Sequence, residues 1–255
     1  MDSTGAASVY DWSTTHMLFA ADSVYDMMNY WAYMASLRNV PLSFTANFKD
    51  PFSHYTRSTV PTRTNYEPIN NSPNDAYLWV NDALSLHGYG ASPITFTNVW
   101  EKNEEFNAAA LSSSGGPYDH AFSIYLVSNF RADGTAGPGA FNGASYGAFV
   151  PVLGGTAQIV ALNAAGFGLN YLWFVLRHET GHNFWACDEY LAGCLSCGPC
   201  ASNGPRPSVL NANCAAGPTA GDGYQTLCSV PRVECVMTNT STENICTFTM
   251  QKIGW

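Results

Sequence analysis

The chain has 255 residues, of which 11% are charged and 46% hydrophobic, and its formal net charge is −9. That apolar content excludes wholesale disorder, and the length supplies a buried core for one large domain or two small ones. The ten Lys and Arg residues are scattered without a basic cluster, which argues against a nucleic-acid partner, and no apolar run reaches the roughly 18 residues that a membrane-spanning helix requires.

Residues 1–20 are small and polar and read as extended chain. Met1-Asp2-Ser3-Thr4-Gly5 has neither a basic start nor an apolar stretch, so no signal peptide is expected here, and an exported protein would be in its mature form. Ala21-Asp22-Ser23 is expected to open a helix running to about Leu37, because Val24, Met27, Met28, Trp31 and Met34 recur at three- and four-residue spacing. That stripe reads as core. Residues 40–48 alternate loosely and predict a strand. Residues 50–73 carry four prolines among polar residues and predict a loop, with His54 on its surface.

Asn74-Asp75 is expected to cap a second helix over 76–86, ending near His87 and Gly88. A strand at 94–99 and a short helix or turn at 101–110 follow. The stretch 121–127 is the clearest strand. It is apolar on both faces, which predicts a central position in a sheet. His120, just before it, is assigned a structural role. The glycine-rich run 134–147 is a long loop without a phosphate-binding pattern. Residues 148–152 and 156–162, split by Gly154-Gly155, predict a hairpin or two short edge strands.

Residues 169–176 are almost wholly apolar, with Asn170 as the expected helix cap, and run into His178-Glu179-Thr180-Gly181-His182. On a helix, His178 and His182 stand one turn apart on the same face, where two imidazoles can share one metal ion. Glu179, beside the first histidine, can reach a water on that metal without ligating it. This is the H-E-x-x-H pattern of zinc hydrolases, in which the glutamate is the general base. Such a site needs a third protein ligand and one open position. Asp188 lies six residues past His182, where the longer pattern H-E-x-x-H-x-x-G-x-x-H places its last histidine. Glu189 is the alternative ligand, and spacing favours Asp188.

On these residues the chain resembles the metzincin zinc peptidases, in the variant whose third ligand is an aspartate. Glu234-Cys235-Val236-Met237-Thr238-Asn239-Thr240 is similar to their Met-turn, with Met237 as an apolar floor under the metal. The tail 245–255 is similar to their closing helix. The likeness extends over about 121–255 and is strongest at 178–190. It implies a zincin-like α+β catalytic domain: a mixed twisted sheet with helices above a metal-bearing helix, and an irregular, disulfide-rich lower part. The expected organisation is a single domain over 1–255, with an upper sheet-and-helix part at 1–186 and a Cys-rich lower part at 187–255. The resemblance also implies Zn2+ as cofactor and a protein or peptide as substrate. It further implies an edge strand within 146–162 to which a peptide adds by backbone hydrogen bonds. Tyr190 is a candidate donor to the oxyanion of the transition state. One position departs from the pattern: Trp185 stands where the glycine turns the chain, so either the turn is built differently or Glu189 reaches the metal.

All eight cysteines fall in the last 69 residues, from Cys187 to Cys246. An even, clustered count reads as four disulfides in an oxidising compartment, hence a secreted protein, with pairing undetermined among about 105 connectivities. A second metal site at Cys194, Cys197 and Cys200, completed by Cys187 or Cys214, is the rival reading. A Cys187 thiolate on the zinc would silence the enzyme. A secreted binding or surface-assembly module with a structural zinc is the alternative function. Glu179 argues against it, because a structural site needs no adjacent carboxylate.

Overall fold

The computed structural model describes residues 2–3, 9–46, 63–188, 235–237 and 244–255. Among them, five α-helices and a small mixed sheet make an α+β arrangement. Helix α1 (Thr14–Ser36) has no Gly or Pro to interrupt it and buries Val24, Met27, Trp31 and Met34 along one face. It starts well before the expected Ala21, because Ser13 caps it: the Ser13 hydroxyl accepts the His16 N–H at 3.1 Å. The polar triplet at 21–23 is interior helix, with Ser23 buried.

Residues 40–46 form no strand, which corrects that part of the strand expected over 40–48; residues 47–48 lie outside the described residues. Pro41 lacks the N–H a ladder would need there. A two-residue parallel pair, β1 (Asp2–Ser3) with β2 (Arg63–Thr64), follows the chain to helix α2 (Ala76–Ser85). The expected Asn74-Asp75 side-chain cap is absent. Instead the Ser72 hydroxyl accepts the Asn74 N–H at 3.3 Å and starts a single 3-10 turn, Pro73–Asp75, that leads into α2. Helix α3 (Phe96–Ser113) replaces both the strand expected at 94–99 and the short helix at 101–110. Thr95 caps it, accepting the Asn98 N–H at 3.2 Å, and Val99, Trp100, Asn103 and Asn107 form its buried stripe. A short apolar run does not distinguish strand from helix; the cap decides it here.

The sheet comprises β3 (Ser123–Val127), β4 (Ala148–Phe149) and β5 (Ala157–Ala161), in the order β3-β5-β4. Strands β3 and β5 are parallel, and β4 runs antiparallel to β5. The central strand is therefore β5, every residue of which is buried, and β3 lies at an edge among the described residues. The expectation of a central β3 rested on apolar residues facing both ways. Those residues pack against helices on both faces, and among the described residues β3 pairs on one edge only. Val160 and Leu162 join the cluster formed with α1 and helix α4 (Leu172–Asn183), whereas Ala157, Ile159 and Ala161 join the cluster formed with α2 and α3. The alternation of a strand thus sends successive side chains into two separate helical layers. A last helix, α5 (Thr247–Ile253), lies near the C-terminus, and the neighbouring Ile245 and Met250 belong to the first cluster. No described helix is long and apolar enough to cross a membrane.

Candidate metal centre

Helix α4 follows a 3-10 turn, Leu169–Tyr171, and no side chain caps it; Asn170 lies inside that turn and is not the cap expected for it. Leu172, Val175 and Leu176 are buried, and the Trp31 indole N–H donates to the Arg177 carbonyl at 3.1 Å, which fastens α4 to α1. Arg177 is itself buried, its guanidinium 3.6 Å from the Trp173 ring centroid and 4.1 Å from that of Tyr30. One residue on, the helix presents His178, Glu179 and His182 at a single place.

The imidazoles of His178 and His182 lie edge-to-face with centroids 4.8 Å apart. Each Nδ1 meets a backbone carbonyl: that of His178 lies 2.9 Å from Val236 O, and that of His182 lies 2.8 Å from Ala186 O. A carbonyl only accepts, so each Nδ1 carries the proton, and both Nε2 atoms are left to face the site. Asp188 Oδ1 is 3.0 Å from His178 Nε2 and 3.3 Å from His182 Nε2. The three ligand atoms fall within 4.8 Å of one another, a grouping that could hold a metal ion. Donors held at about 2.0–2.2 Å around one tetrahedral ion stand roughly 3.3 Å apart, and the two Asp188–imidazole separations are of that size.

The same groups are electrostatically coupled. Burial disfavours charge on His182, yet the hydrogen bond and charge of Asp188 outweigh it and raise the imidazole to about 9. Burial also opposes the charge on Asp188, but the two imidazoles set against it hold its carboxyl well below the usual range. Glu179 is pushed up by burial, with the two imidazoles pulling the other way. Its Oε2 is buried and finds no hydrogen-bond partner among the described residues. A buried carboxylate oxygen left in this way beside two aligned imidazoles is what a metal with a water would satisfy.

Trp185 resolves the question raised by the missing glycine. Its φ is +71°, the left-handed conformation a glycine would take, and the turn still delivers Asp188 to both histidines. For a residue with a Cβ this costs about 1–2 kcal/mol. Hydrogen bonds from Trp185 N–H to His182 O at 3.0 Å and from Ala186 N–H to Gly181 O at 2.9 Å hold the turn.

Met237 is fully buried beneath the helix, and its Sδ lies against Gly181. Val236, beside it, supplies the carbonyl for His178, so the segment 235–237 both supports and orients the site. Three contributors were not singled out from the sequence: Gly181, Val236 and Ala186. Two of them act only through backbone carbonyls, which leave no side-chain signature. Glu189, Tyr190, His54 and the cysteines at 194, 197, 200, 214 and 228 lie outside the described residues. Of the others, Cys187 is buried. Cys235 and Cys246 are free thiols, contrary to the expectation that all eight pair. Both sulfurs lie at hydrogen-bond distance from the Thr249 hydroxyl, at 3.2 and 3.4 Å. His87 and His120 line a separate cavity of about 340 Å³, between the layers of α1 and α3, to which none of the metal-site residues contributes.

Compared with known proteins, the chain matches no family model, no curated protein and no solved structure.

Proposed function

We propose that the chain is a secreted, zinc-dependent endopeptidase of the metzincin kind, with a zincin-like catalytic fold. The observation that carries this reading is the convergence of His178 Nε2, His182 Nε2 and Asp188 Oδ1, with the free Oε2 of Glu179 buried beside them. His178, His182 and Asp188 would hold the ion. Zinc at such a site acts as a Lewis acid towards the scissile carbonyl and acidifies a water.

The protein's own groups account for the rest. The carbonyls of Val236 and Ala186 fix both imidazole tautomers, so neither histidine has to reorient during turnover. Glu179, buried beside the ligands, takes the proton of the attacking water and passes it to the leaving amine. Strand β4, antiparallel and unpaired on its outer side among the described residues, lies against α4 and offers the backbone edge for an extended peptide. Within the expected 146–162 segment only β4 can serve, because β5 is paired on both sides. The clustering of the cysteines in the last 69 residues is what favours an extracellular setting.

Glu179→Gln tests this directly. It should bind zinc as the parent does and lose turnover on a broad peptide library by at least about a hundredfold. A variant that cleaves at the parental rate would dismiss Glu179 as the base. A parent that binds zinc and cleaves nothing would favour the binding module with a structural ion.

A further inference from the structure

The turn that brings Asp188 to the histidines is also joined to the loop leaving the proposed substrate edge. Residues 150–156 connect β4 to β5, and they carry Val152 with half of its surface exposed. Gly154 N–H donates to His182 O at 2.8 Å, the same carbonyl that accepts the Trp185 N–H. The Trp185 ring lies directly over Gly154, so close that a Cβ at Gly154 would fall inside the indole. Gly154 itself has φ +70°. Oriented so that its nitrogen faces acceptors, the Asn183 amide donates to Gly155 O at 3.2 Å and to Ala157 O at 3.1 Å. Two residues at the end of α4 and one ring beyond it therefore hold one short loop. The ring is the only one of these attachments that a glycine at 185 would remove, since the others use backbone atoms or Asn183.

We propose that Trp185 is a positioning residue: its indole clasps the 150–156 loop against the end of the metal helix and so fixes the substrate edge relative to the metal site. A glycine at this position would make the turn without strain, but it would leave the loop held only by its hydrogen bonds. The indole gives up that ease in exchange for a fixed wall beside the cleft. The functional consequence rests on the peptidase reading; the clasp itself does not. A loosened wall weakens the hold on an extended peptide without altering His178, Glu179, His182 or Asp188, so the effect falls on KM and not on kcat.

The test compares the parent with Trp185→Gly, which keeps the backbone conformation and loses the ring, and with Trp185→Phe, which keeps a smaller ring. Amide hydrogen exchange at Gly154 and Gly155, zinc content, and kcat and KM on an extended peptide are measured for each. In Trp185→Gly, exchange at Gly154 and Gly155 should accelerate by about tenfold with one zinc still bound, and Trp185→Phe should recover part of the protection. KM should rise while kcat stays within about twofold. Unchanged exchange at Gly154 and Gly155 in Trp185→Gly would overturn the proposal, as would a drop in kcat at constant KM. If the parent itself cleaves no peptide, the peptidase reading fails, and the exchange rates still decide whether the clasp exists.

Discussion

Gly181 fills one of the two unspecified positions between His178 and His182, and its packing makes it a working part of the site. A helical glycine ordinarily costs roughly 0.5–1 kcal/mol relative to alanine, so Gly181→Ala would be expected to stabilise α4. Here the added Cβ would lie 2.5 Å from Met237 Sδ and 3.4 Å from Trp31 Cζ2. Both neighbours are fully buried, so the Met237 thioether would have to shift within the core to admit it. Overpacking therefore outweighs propensity, and Gly181→Ala should lose about 1–3 kcal/mol in urea unfolding. A gain in stability would mean that the Met237 contact is looser than described. At this scale the sequence was informative wherever chemistry resides in side chains: His178, Glu179, His182 and Asp188 announce themselves by type and spacing, and Met237 by its place in the similar turn. It was silent on Val236 and Ala186, whose carbonyls any residue could supply. It was ambiguous at Trp185, because nothing in a tryptophan signals φ > 0.

The elements were legible where a buried stripe is long. The period of Val24, Met27, Trp31 and Met34 marks α1, and the apolar lead-in marks α4, since burial of one helical face repeats at a readable spacing. Starts were harder, because a cap depends on one hydroxyl and one N–H. Several polar residues compete for the role before each helix. Ser13 prevails for α1, and Thr95 turns an apparent strand into the first turn of α3. Ser13→Ala should accordingly lower global stability by about 1 kcal/mol, because the first turns of α1 already bury His16, against Phe130, and Ala20. A variant as stable as the parent in chemical denaturation would place the start of α1 further along the chain. Strand order was the least legible feature. Apolar residues on both faces of β3 and β5 look alike in sequence, and only pairing assigns the centre to β5.

At the scale of the whole molecule, the sheet separates two helical layers, and the candidate metal centre belongs to the layer of α1 and α4. The site draws on segments far apart in the chain: the His178 contact with Val236 spans 58 residues. Hydrophobic burial of Val236 and Met237 against α1 and α4 supplies the physical cause of that meeting. Zinc binding by this arrangement needs only nitrogen and oxygen donors, whereas the cysteine-rich stretch would offer sulfur. The decisive measurement is therefore metal analysis of the purified protein combined with X-ray absorption at the zinc edge. One zinc per chain, surrounded by nitrogen and oxygen neighbours at about 2.0–2.2 Å with no sulfur shell near about 2.3 Å, is the predicted result. A sulfur-coordinated ion, or protein that binds no zinc with His178, His182 and Asp188 intact, would contradict the account.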